Sequence, residues 1–191
     1  MNNTIYQFIM TTDYSYYSLE SNVDVIQDTF RIRYLMEDIR ITYKRDININ
    51  VGGMIIDARE GDISSVPRWL AKKLSEYDII DIQDNDISAY ISRALNRERI
   101  AKPHDLSGLD PDFYIRVNEH LEELKDSERD KLIVSLNSFV ASRLQKIVKL
   151  AAASQLSPEL EQKLSAEENE LYTSIHHSSA IFKQKVLRKF G

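Results

Sequence analysis

From residue 38 onward, hydrophobic and polar positions fall into two successive rhythms. In "IRITY" the residues Ile39, Ile41 and Tyr43 occupy alternate positions, and "ININ" repeats the alternation with Ile47 and Ile49 before a glycine pair at 52 and 53. A period of two places side chains on opposite faces of a strand, and a Gly-Gly step suits a tight reversal. These two tracts are therefore expected to pair as strands. "MIID" is expected as a third strand, closed by the turn signal "REGD". In "SSVPRWLAKKL" Pro67 suits the first position of a helix, where a backbone N–H has no partner in any case, with Ser65 or Val66 as the cap. Pro67, Leu70, Ala71 and Leu74 then share one face, and Arg68, Lys72 and Lys73 point to water. "YDIIDIQ" is expected as a closing strand. Upstream, the alternation of Phe30, Ile32 and Tyr34 reads as a strand, in a tyrosine-rich stretch of uncertain structure at residues 1–37 that could belong to the small domain; Met36 is a second candidate start.

Past residue 85 the period lengthens to that of a helix. Ile87, Ile91, Ala94 and Leu95 make one stripe, ended by Pro103 and the loop "AKPHDLSGLDP", which has the composition of a boundary. Asp110 as cap and Pro111 at the first position launch a helix carrying Phe113, Val117, Leu121 and Leu124 on one face. The longest stretch, residues 128–153, sets Leu132, Leu136, Phe139, Val140, Leu144, Ile147, Val148 and Ala151 in a wide apolar band. Ser157 and Pro158 restart the helix. Ser165 and Glu168 have capping-box spacing and open a last helix with Leu171, Ile175, Phe182 and Val186. The expected fold is α+β and mostly α: a small N-terminal β-rich domain at 38–85, followed by a C-terminal α-helical bundle domain at 86–191.

Size changes the picture of the first domain. About 50 residues bury only about 60% of their unfolded surface and usually need a staple or a partner. The chain has no cysteine, hence no disulfide and no thiolate metal site, and an intracellular compartment is favoured. Trp69, the single tryptophan, is the natural anchor by which such a domain leans on something else. Over all 191 residues the composition is 42% hydrophobic and 29% charged, as for a folded domain, and the net charge of -5 argues against a protein built to neutralise phosphate. No apolar run approaches the roughly 20 residues of a bilayer span, and the opening lacks the basic, then apolar, pattern of a signal peptide. A cytoplasmic protein with no membrane contact is expected.

Candidate chemistry is sparse. Five glycines, at 52, 53, 61, 108 and 191, form no phosphate-cradling loop. His176 and His177 point about 100° apart on a helix and cannot share an ion. His120 and Glu123 have ligand spacing, but a metal bundle needs that arrangement twice. The acidic run "YDIIDIQDND" lacks the glycine and distal glutamate of a calcium loop, and no glycine elbow presents a serine nucleophile. No enzyme, metal or cofactor is expected. The cations Arg143, Lys146 and Lys149 are expected on the solvated side of the long helix, or else facing an acidic partner.

Taken together, "VPRWLAKKLSEYDIIDIQ", with its Pro-x-Trp-Leu-Ala segment, and the helices "DPDFYIRVNEHLEEL", "FVASRLQKIVKLA" and "LSAEENELYTSI" resemble the GINS family over residues 38–187. GINS subunits exist in two permuted forms. The β-first order here resembles an archaeal counterpart of the eukaryotic Psf-two and Psf-three type. The resemblance implies a non-enzymatic replication scaffold that assembles as a tetramer with a second GINS subunit type and bridges the MCM helicase and a RecJ-like partner. It places Pro67, Arg68, Trp69, Leu70 and Ala71 in the β-domain signature, with core and docking roles. It places Phe113, Tyr114, Arg143, Lys146, Glu168, Leu171 and Tyr172 in the helical motifs that build the α-domain and its contacts. A nucleic-acid-binding module that reads through Arg68, Lys72, Lys73 and nearby aromatics is the alternative; a steep salt dependence of single-stranded DNA binding would favour it.

Overall fold

The computed structural model describes residues 3–83 and 87–187, with side chains from residue 19 onward. The chain forms two compact units, one comprising Phe30–Ser88 and the other Met1–Thr29 with Ala89–Gly191.

The small unit is built on β1 (Asp38–Tyr43), which lies between β4 (Ile63–Pro67) and β5 (Ile80–Ile82) in an antiparallel sheet of order β4-β1-β5. The hairpin of β2 (Ile47–Val51) and β3 (Met54–Ala58) is a separate ladder, turned by Gly52 and Gly53, both at positive φ. Pairing thus differs from the expectation that β1 and β2 are neighbours. β1 instead takes β4, a segment expected as a turn and helix cap, because Val66 alternates inward opposite Ile39 and is buried. Pro67 closes β4 and is itself the cap residue of α2 (Arg68–Glu76), so the helix starts one residue later than expected, with no side-chain capping bond. It can end this strand because β4 is a sheet edge, where a missing N–H leaves no ladder bond unmade. Leu70, Ala71 and Leu74 of α2 are buried as their spacing predicts, against Ile39, Ile41, Tyr43, Ile56 and Ile80.

The proposed strand around Phe30–Tyr34 is absent, and those residues complete the helix α1 (Asn3–Met36). Three alternating positions are too few to tell a strand from a helix: in the helix Phe30 and Tyr34 lie one turn apart, Tyr34 is buried and Ile32 is exposed.

The helical unit consists of the first part of α1 with α3 (Ile87–Ile100), α4 (Phe113–Glu123), α5 (Asp126–Ala153), α6 (Pro158–Glu161) and α7 (Ala166–Leu187). The loop after α3 is no boundary: Leu106 is buried in a cluster with Ile147, Ala151, Leu164 and Tyr172, and Leu109 is buried as well. Its prolines and glycine shape a packed connection. α4 begins at Phe113 with Asp112 at the cap position, not Asp110, whose carboxylate accepts the Tyr90 hydroxyl at 2.8 Å. Burial and that neighbouring carboxylate push the Tyr90 hydroxyl's pKa upward. Ser157 caps α6 by accepting the Leu160 N–H. The capping box at α7 forms in both directions, from Ser165 N–H to Glu168 at 3.2 Å and from Glu168 N–H to the Ser165 hydroxyl at 3.3 Å.

Candidate interaction site

α5 is rotated relative to the expectation from its apolar band. Arg143, only 1% exposed, and Lys146 lie inside the bundle, whereas Val140, Leu144 and Val148 are 42%, 44% and 42% exposed. The cations expected on the solvated side are therefore core residues, apart from Lys149, which is exposed. Their acidic partners belong to this same chain.

The Arg143 guanidinium has five N–H donors in a fixed fork, and each meets an acceptor. Nε and Nη2 grip the two oxygens of Glu168 at 2.6 and 2.7 Å. Nη1 donates to Glu98 Oε2 at 2.8 Å and the Ser107 carbonyl at 2.9 Å, and Nη2 also reaches the Lys163 carbonyl at 3.0 Å. Glu98 in turn accepts from Lys146 Nζ at 2.6 Å and from the Ser107 amide and hydroxyl. Glu168 accepts the Tyr114 hydroxyl at 2.8 Å while serving the capping box. Two cations and two carboxylates balance, and every described bond is charge-assisted. One side chain of α5 thereby ties together α3, the α3–α4 loop, the turn before α7 and α7 itself.

These contacts set the titration of the group. Burial by itself would raise the Glu98 carboxyl. The bonds from Lys146 and Ser107, with the Arg143 charge, more than offset it and hold Glu98 below the usual carboxylate range. The Arg143 guanidinium is opposed by burial but raised by Glu168. Burial and the Glu168 charge push the Tyr114 hydroxyl upward. Glu167, raised by burial, runs in the opposite sense to Glu98. A carboxyl lowered by folding gives stability that is present above its unfolded value, about 4.3, and lost as pH falls through the folded value. Urea midpoints are accordingly expected to fall on acidification below about pH 4, with a shallower acid slope in Glu98→Gln; an unchanged slope in that variant would contradict the role given to Glu98.

Aromatic packing supports the same region. Phe113 is fully buried, with ring centroids 5.9 Å from Tyr90, 5.3 Å from Tyr114 and 5.5 Å from Phe139. Tyr172 is buried and donates to the Ser154 carbonyl at 3.0 Å, and Leu171 packs beside it. Of the seven helical positions singled out from sequence, all but Leu171 and Tyr172 thus meet in or against the charge network. Glu98 and Ser107 were missed. The signal for Glu98 was its place seven residues after Ile91 and four after Ala94, in register with an apolar stripe.

In the small unit the signature residues divide. Leu70 and Ala71 are core, and Pro67 ends β4. Arg68 lies with its guanidinium 4.2 Å from the centre of the Tyr34 ring and 3.9 Å from Glu37, and Lys73 pairs with Glu76. The basic cluster invoked for nucleic-acid reading is largely spent within the unit. Trp69 is 37% exposed and outside the core cluster, so its expected core role falls to Leu70, Ala71 and Leu74. The helix turns the indole outward because those three already fill the buried face.

A family model, the GINS complex protein helical bundle domain, matches residues 82–187, more than half of the chain. The chain belongs to the GINS family. No curated protein matches it. The matched GINS bundle contains the entire charge network, and the family is one of non-catalytic replication scaffolds that act as subunits of a complex. Among the described residues no group of three or more His, Asp or Glu could hold a metal ion, and no helix is long and apolar enough to cross a membrane. Residues 84–86, which end the acidic run, lie outside the described residues.

Proposed function

We propose that this GINS subunit is of the β-first, Psf-two/Psf-three-like archaeal type, with the small domain at 38–85 and the helical domain at 86–191 both working through protein interfaces. In this reading it assembles with a second GINS subunit type and supports the MCM helicase and a RecJ-like partner, with little direct contact to nucleic acid, in the cytoplasm at the nucleoid. The observation that carries it is the outward row Val140, Leu144 and Val148 on α5. With Arg143 drawn inward, the longest helix of the matched bundle shows water three branched apolar side chains at successive turns. Such a row is a surface that association would cover. Trp69, as a half-exposed indole in the family signature, is the corresponding docking residue of the small domain.

The test is the native mass of the chain alone and mixed with a candidate second subunit. Wild type should enter a tetramer. Leu144→Asp should stay out of it while melting as wild type, since an exposed substitution changes stability by about 0.5 kcal/mol. A Leu144→Asp protein that assembles normally would remove α5 from the interface, and a wild-type chain that remains monomeric with every candidate would contradict the assembly reading.

A further inference from the structure

On the other flank of α5's buried face from the Val140 row, α3 and α5 enclose an open groove of about 750 Å³. Its size is that of a ligand cleft, and its chemistry is mixed in an ordered way. Leu95, Pro103 and Val134 supply apolar surface. Lys146 lies at the base, and Arg99 and Lys149 stand exposed at the rim. Glu98 is the one carboxylate among the lining residues, and it is already held by Arg143 and Lys146. In a chain of net charge -5 this is a local cationic site.

Along its α5 side run Ser135, Ser138 and Ser142. The hydroxyls of Ser135 and Ser138 donate to the carbonyls of Lys131 and Val134, at 3.2 and 3.3 Å. Their protons are therefore committed, and what they offer the groove is acceptor lone pairs. A phosphate backbone brings only acceptors and gains nothing from them, whereas a peptide brings N–H donors. Phe139, the one aromatic among the lining residues, is buried, so no aromatic platform is open for a base to stack on.

We propose that the α3–α5 groove binds an acidic segment of a partner protein, one whose carboxylates meet Arg99 and Lys149 while a large apolar side chain between them rests on Leu95, Pro103 and Val134. The site is separate from the Val140 row, so its failure leaves subunit assembly untouched and is distinguished from it by the native mass. The experiment measures fluorescence anisotropy of a labelled synthetic peptide, glutamates flanking one phenylalanine, on the full-length protein. Saturable binding that weakens with salt is expected. It should fall by about tenfold or more in the double variant Arg99→Glu, Lys149→Glu, and persist in Lys185→Glu, a charge reversal on α7. Both rim side chains are exposed, so the double variant should melt as wild type. Absence of binding, equal binding of a peptide with glutamine for glutamate, or displacement by oligo-dT at lower concentrations than by unlabelled peptide would each overturn the proposal.

Discussion

Replacing Arg143 by methionine is expected to destabilise the helical unit by about 3–5 kcal/mol, and to lower its melting temperature on the order of 10 °C. The volume and shape of the side chain are nearly conserved, so the loss comes from charge. Without the guanidinium, Glu168 keeps only Tyr114 and the Ser165 amide, and Glu98 keeps Lys146 and Ser107, each at a site from which water is excluded. An unpartnered buried carboxylate either takes up a proton or pulls water inward, and both disorder the packing around it. Arg143→Lys should recover little, because a single ammonium cannot grip both oxygens of Glu168 and still reach Glu98. Removing Glu98 and Glu168 together with Arg143 should cost less than the sum of the single losses. Thermal melts followed by circular dichroism decide it: a shift worth less than about 1 kcal/mol for Arg143→Met would mean that the cation lies in solvent, where such changes are small.

Phe113→Ala is expected to cost about 3–5 kcal/mol in chemical denaturation. The ring is fully buried at the start of α4, in contact with three other aromatic rings from α3, α4 and α5. Truncation loses the ring's transfer energy and its edge contacts, and leaves a cavity that Tyr90 and Tyr114 cannot close, since their hydroxyls are fixed to Asp110 and Glu168. Phe113→Leu should retain most of the stability, at a cost of about 1–2 kcal/mol. If alanine were tolerated as well as leucine, the aromatic cluster would not be the packing centre described here.

The elements whose side chains repeat a single pattern were legible in the chain. Ile39, Ile41 and Tyr43 alternate and lie on the buried face of β1; Leu70, Ala71 and Leu74 share the inward face of α2; Ser165 and Glu168 cap α7 as their spacing requires. Partner choice was not legible. β1 could pair with any nearby strand of matching alternation, and the selection of β4 and β5 over β2 depends on where the chain returns. The helical period of Phe30–Tyr34 was hidden because three residues fit both rhythms.

The site follows the same division. Sequence alone determined that α5 is one long amphipathic helix, that Arg143 and Lys146 recur along it, and that the segments around them are those of a GINS bundle, because periodicity and motif order are properties of the chain. Which side of α5 turns inward was decided only by tertiary structure. A helix with apolar residues around much of its circumference can bury either flank. Glu98 and Glu168, remote in sequence, satisfy the buried guanidinium and so offset the cost of taking Arg143 out of water on that side.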